Sequence, residues 1–127
     1  MSERRVLQPQ SVAVPKPPYS PGIRRGNLVF TAGQVALDRE GKVVGSDIRS
    51  QTRQALQNVE AVLKEGGASL ADVVKVTVFL TDMANFSAMN EVYREFFPED
   101  PPGRSTVLGG LARPEFLVEV EAVAALP

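Results

Sequence analysis

The stretch Val73–Thr81 constrains this chain more than any other feature. Most of its residues are β-branched, and such side chains suit a pleated strand better than a helix. Alternation sets Val74, Val76, Val78 and Leu80 on one face and Lys75, Thr77 and Phe79 on the other. A helical pattern stands on either side. Upstream, Ile48, Ala55, Leu56, Val59, Val62 and Leu63 recur at helical spacing and form one apolar stripe. Ser46 or Asp47 can cap that helix, Gly66 and Gly67 stop it, and Arg49, Arg53, Gln57, Glu60 and Lys64 fall largely outside the stripe. Downstream, a second helix is expected from about Phe86 to Phe97. Phe86, Met89, Tyr93, Phe96 and Phe97 form its apolar face, and Pro98 lies just past its end.

Shorter strands complete the pattern. Residues 8–22 hold five of the ten prolines, so an extended surface segment is expected there rather than a helix. Ile23–Arg25 and Leu28–Thr31 flank a Gly26-Asn27 turn and read as a hairpin. Gly33 marks a bulge or a close backbone approach, Val35–Leu37 continue the strand, and Asp38–Lys42 turn around Gly41. Arg104–Leu108 is a short strand and Phe116–Ala125 the last one. In the latter, Val118, Val120, Ala122 and Ala124 alternate with Leu117, Glu119, Glu121 and Val123. Strands, helix, strand, helix, strands predict an α+β fold: one mixed sheet with two helices on one face. The second face mixes Phe79, Thr77, Lys75, Glu119 and Glu121, and either meets solvent or forms an oligomer interface. The length suits one domain, taken as residues 1–127.

Two absences narrow the chemistry. The chain has no cysteine and no histidine. Disulfides, thiolate nucleophiles, Cys/His metal sites, a Ser-His-Asp triad and an imidazole base are therefore excluded. Catalysis would fall to carboxylates, arginine, lysine, tyrosine, hydroxyls, amides and backbone groups. A net charge of −1 gives no basic field for nucleic acid. No apolar run is long enough to span a membrane, and the polar start at Met1–Arg5 argues against a secretory signal, so a soluble cytoplasmic protein is expected.

Three of the chain's polar positions, an aromatic one and one backbone stretch can carry chemistry. Arg104 opens a strand after a proline-rich loop, where a guanidinium can clamp a carboxylate; an ordinary surface arginine is the plainer alternative. Glu119 sits in a strand among apolar residues. Burial there would raise its pKa and improve it as a general base, and an edge carboxylate paired with an arginine is the alternative. Tyr19, between prolines, can lid a pocket or simply pack on the surface. Asn90 interrupts an apolar helix face and needs a partner if buried, either a ligand or a nearby backbone group. Thr31–Gln34, with Gly33 among them, offer backbone groups near a strand end, with a structural bulge as the plainer alternative. No nucleotide-cradling glycine motif is present.

Seven segments in order give these residues a context: Pro18–Ser20, Leu28–Gln34, Gln51–Val59, Val74–Leu80, Met89–Tyr93, Pro102–Thr106 and Leu117–Ala122. Together they resemble the RidA family, also known as YjgF or L-PSP proteins, over nearly the whole chain. The resemblance implies a chorismate mutase-like α+β fold and a homotrimer, with three sheets around a central barrel and clefts between subunits. It implies that Arg104 binds a substrate carboxylate and that Glu119 holds a water. Tyr19, Gly33, Asn90 and Thr106 match the remaining cleft positions, with backbone contacts at Gly33 and Thr106. The chain departs from the family's deaminases at Ala32, where serine is common, and at Thr106, where cysteine is common. The first change removes a hydroxyl and bears on rate and substrate choice.

The resemblance thus implies hydrolysis of reactive 2-enamino or 2-imino acids, such as 2-aminoacrylate and 2-iminobutanoate, to 2-keto acids and ammonia, without metal or cofactor. Three alternatives stay open. One is a noncatalytic trimer that binds keto acids in the same clefts. A second is a related deaminase, for instance one acting on 3-aminoacrylate. The third is the ribonuclease activity attached to part of the family, which the charge and the missing histidine disfavour.

Overall fold

The β-branched run becomes an inner strand of a six-stranded mixed sheet. The computed structural model describes residues 3–127. Its elements are β1 (Arg5–Leu7), β2 (Gly22–Arg25), β3 (Leu28–Thr31), α1 (Ile48–Glu65), β4 (Val73–Leu80), α2 (Phe86–Phe96), β5 (Gly103–Leu108) and β6 (Val118–Ala125). The strands lie in the order β1-β2-β3-β6-β4-β5. Every neighbouring pair is antiparallel except β4 and β5, which run parallel. A parallel pair needs a crossover, and α2 supplies it.

The helix signals operate as read. Asp47 caps α1, its side chain accepting from the Ser50 N–H, and this bond lowers the carboxyl's pKa. Gly66 ends the helix, and Gly67 follows at φ +84, a conformation that costs glycine little. Arg5 and Arg24, register partners on β1 and β2, donate to the Glu65 and Gly66 carbonyls. Two cations thereby meet the negative end of α1. The predicted apolar stripe of α1 is wholly buried and packs against Val76, Val78, Leu80, Val118, Val120, Ala122 and Ala124. The mixed α+β sheet with both helices on one side matches the expectation from the sequence.

Several local expectations need correction. Val74 does not join the buried face. The register slips between Val73 and Lys75, and this bulge turns Val74 out to solvent. Phe86 is also exposed, while Val92, unread in the pattern, is buried in α2. Val35–Leu37 do not prolong β3; isolated bridges take the place of a strand here, Gln34 to Val120 and Leu37 to Val43. The first strand, Arg5–Leu7, has no counterpart in the sequence reading; its Leu7 is fully buried. The proline-rich segment forms no helix, yet Val12 anchors it in the core. On the open face, Leu28, Phe30 and Val107 stay substantially exposed, so that face is more apolar than a plain solvated one. Among the described residues, no helix is long and apolar enough to cross a membrane.

Gln51 is a buried polar side chain that ties two loops to α1. Its Nε2 donates to the Gly45 and Glu115 carbonyls at 3.1 and 2.9 Å, and its Oε1 accepts from the Leu117 N–H at 2.8 Å. Gln51→Ala leaves those backbone groups unpaired and should lower unfolding free energy by about 3 kcal/mol. Urea unfolding measures it; a loss below about 1 kcal/mol would mean water replaces the amide.

Candidate functional site

Arg104 is placed by a parallel ladder. It stands beside Val76, so its side chain leaves the sheet on the helix-covered side. There the guanidinium lies over the Tyr93 ring at 4.7 Å and near the Phe86 ring at 5.7 Å, both on α2. Among the described residues it has no carboxylate partner. Beside it, between α2 and the start of β5, opens a cavity of about 260 Å³ walled by Asn90, Tyr93, Arg94, Phe97, Pro101, Pro102 and Arg104. Asn90 Oδ1 and the Tyr93 hydroxyl are buried without a hydrogen-bond partner. Burial pushes the Tyr93 phenol upward, and the charge of Arg104 opposes that shift. Thr106 follows two residues along β5, half-buried on the same side as Arg104.

Glu119 belongs to the other face. It stands beside Phe79 in the β4–β6 ladder, half-buried. Its carboxyl titrates above the usual carboxylate range, first because burial disfavours the charge and second because Glu121 lies nearby on the same strand. Gly33 covers it. The chain after β3 is drawn across β6 by reciprocal bonds between Gln34 and Val120, 2.8 and 2.9 Å, and this carries Gly33 against Glu119. A Cβ at Gly33 would overlap the carboxylate where it stands, so any larger residue would push the Glu119 side chain aside. Tyr19 is exposed, two residues before Pro21, whose carbonyl accepts the Ala32 N–H at 2.8 Å.

Five of the six residues chosen from sequence thus fall into two groups. Arg104, Asn90 and Thr106 gather beside α2, Glu119 and Gly33 meet on the open face, and Tyr19 stands exposed two residues before Pro21, which is hydrogen-bonded to Ala32. One chain alone does not bring Arg104 and Glu119 into one cleft, because the sheet lies between them. Tyr93 and Phe86 were missed as site residues, having been read as core. The available signal was Asn90, a polar residue one turn before Tyr93 on an otherwise apolar face. Among the described residues, no group of three or more His, Cys, Asp or Glu is placed to hold a metal ion.

Fold and site together define a small α+β domain of the YjgF/L-PSP kind, with a free arginine and a buried-leaning carboxyl on opposite faces of its sheet. The chain belongs to the family described as Endoribonuclease L-PSP, whose sequence model it matches over residues 10–126. It is 49% identical to a RutC family protein of Pyrococcus abyssi over 113 residues, 87% of this chain and 89% of that one. Among solved structures it resembles a Thermotoga maritima protein named as a candidate endoribonuclease, at 38% identity and a TM-score of 0.92 over 97% of this chain and 98% of that one. It also resembles E. coli TdcF with bound serine, at 34% identity and a TM-score of 0.91 over 97% and 99% of the two chains.

The raised pKa of Glu119 has a consequence for stability. A carboxyl raised by folding favours the protonated fold, so its cost is absent in acid and appears as pH rises through the folded value. Glu119→Gln should therefore melt at a higher temperature than wild type near neutral pH. The two should converge at about pH 3.5, where the wild-type carboxyl is protonated. A gap of equal size at both pH values, read by thermal denaturation, would show that the substitution acts through packing instead.

Proposed function

We propose that this protein hydrolyses reactive 2-enamino and 2-imino acids to 2-keto acids and ammonia, as a homotrimer. The observation that carries the reading is Arg104, a guanidinium held over an aromatic ring beside a cavity and left without an acidic partner. Such a group is suited to a ligand carboxylate. Serine bound to E. coli TdcF is in keeping with it, since serine carries a carboxylate and a nitrogen on the same carbon. The trimer supplies what one chain lacks: the Arg104 group of one copy faces the Glu119 group of its neighbour across a cleft. The exposed Leu28, Phe30 and Val107 on the open face are the apolar surface that such assembly would bury.

The chemistry follows from those positions. Arg104 pairs with the carboxylate and fixes C2 of the imine in the cleft. Glu119 accepts a proton from water as the water oxygen bonds to C2 and the C=N electron pair moves to nitrogen, which then takes that proton from Glu119. The resulting carbinolamine returns its electrons from oxygen to C2. Glu119 takes the hydroxyl proton of the carbinolamine and hands it to nitrogen as the C–N bond breaks, so ammonia leaves and the 2-keto acid remains. The raised pKa of Glu119 suits this shuttling better than that of an ordinary surface carboxylate. Imines hydrolyse readily in water, so the site needs only a modest lowering of the barrier. Backbone groups at Gly33 and Thr106, with Asn90 and Tyr19, shape the cleft around nitrogen and water. RNA cleavage, the activity in the family's name, has weaker support in a chain with no histidine and a net charge of −1.

The test is release of ammonia and pyruvate from 2-aminoacrylate generated in situ by a serine dehydratase. Wild type should accelerate it, and Arg104→Ala should lower kcat/KM about 100-fold, the equivalent of a hydrogen bond to a charge worth about 3 kcal/mol. Sedimentation should return a trimer for both. Full activity in Arg104→Ala, or no acceleration by wild type, refutes the assignment.

A further inference from the structure

Phe86, Asn90 and Tyr93 lie at spacing i, i+4 and i+7 on α2, one stripe of the helix. The two rings of that stripe meet one guanidinium, 4.7 Å away for Tyr93 and 5.7 Å for Phe86. We propose that α2 is an aromatic platform that positions Arg104 for carboxylate binding, with Tyr93 the main positioning residue and Phe86 the second. This rests on the reading above that Arg104 takes a carboxylate.

An arginine can be held in two ways. An acidic neighbour would fix the side chain, but it would occupy the N–H edges and cancel the charge. A ring face attracts the cation through its quadrupole and leaves the in-plane donors free. Within its own chain, among the described residues, Arg104 has rings and no acid, whereas Arg49 and Arg53, its exposed counterparts on α1, pair with Glu91 and Glu95. Phe86 also gains a reason for standing 39% exposed at the start of α2: its ring flanks the guanidinium instead of filling the core. The i, i+7 spacing matters because a rigid helix sets both rings at once, and a stack on one ring would leave the guanidinium free to swing. Lysine at this place would keep the charge and lose the planar stack and fork.

The experiment titrates 2-oxobutanoate, a monocarboxylate keto acid, into the assembled protein by calorimetry, beside turnover of 2-aminoacrylate. Tyr93→Leu should weaken 2-oxobutanoate about tenfold and raise KM by a similar factor, with kcat within about twofold. Tyr93→Phe keeps the ring and should bind as wild type does. Because Tyr93 is buried, Phe86→Leu serves as the variant that leaves the core alone; it should weaken binding about threefold. Wild-type affinity in both leucine variants, or an equal loss in Tyr93→Phe and Tyr93→Leu, overturns the platform. So does a wild type that does not bind 2-oxobutanoate. Binding that follows the expected series without any turnover supports the platform and removes the deaminase reading alone.

Discussion

The ladder between β4 and β6 is the constraint from which the other positions follow. Val76 faces Ala122, Val78 faces Val120 and Leu80 faces Val118, so one side of both strands is apolar and small enough for α1 to lie close. Period-2 geometry then leaves no choice for the residues between them. Glu119 and Glu121 must leave on the other face, beside Phe79 and Thr77. A one-residue slip would bury two carboxylates under α1 and expose the valines, at a cost far above the marginal stability of a domain this size. The core thus fixes the register, and the register fixes where a base can stand.

The same ladder reaches the loop after β3. Val120 exchanges two backbone hydrogen bonds with Gln34, and the residue before Gln34 is Gly33. A carboxylate on an open sheet face would ordinarily be solvated. Here the glycine backbone lies against it, and burial first, with the nearby charge of Glu121 second, raises its pKa. On the opposite face β5 repeats the logic in parallel register. Its residues follow α2 directly, so Arg104 emerges above the helix that has just crossed over. Sheet pairing and crossover together set both groups.

Most of this architecture was legible because it depends on periodicity. The α1 stripe, the hairpin at Gly26-Asn27, the alternation of β6 and the helix–strand order all follow from side-chain spacing and turn chemistry. What was not legible depends on contacts distant in sequence. Val74 looks like its neighbours, and only the bulge against β6 turns it outward. Leu7 has no pattern around it, since a three-residue strand is too short to show one. Gln51, Thr52 and Asn58 are buried on α1 although they are polar; Gln51 and Asn58 are satisfied by loops that no helical wheel reveals. Among the site residues, Gly33 was read as a close backbone approach, and that is its role against Glu119. Tyr93 was read as core, because nothing local announces that an arginine 11 positions later will stack on it.

The separation of Arg104 from Glu119 by the thickness of a sheet bears on how the proposed chemistry is controlled. Within one chain, Glu119 is half-buried and Arg104 sits on the far side, so neither half has its complement. In the proposed trimer, packing a second copy on the open face would remove more water from Glu119 and raise its pKa further toward neutrality. The incoming Arg104 would act in the opposite sense, favouring the charged carboxylate. A substrate carboxylate that engages Arg104 offsets part of that positive charge, so binding itself would make Glu119 a stronger base. The base would therefore gain strength when substrate is present. That coupling needs neither histidine nor a moving loop, only two faces of one sheet and a second copy to join them.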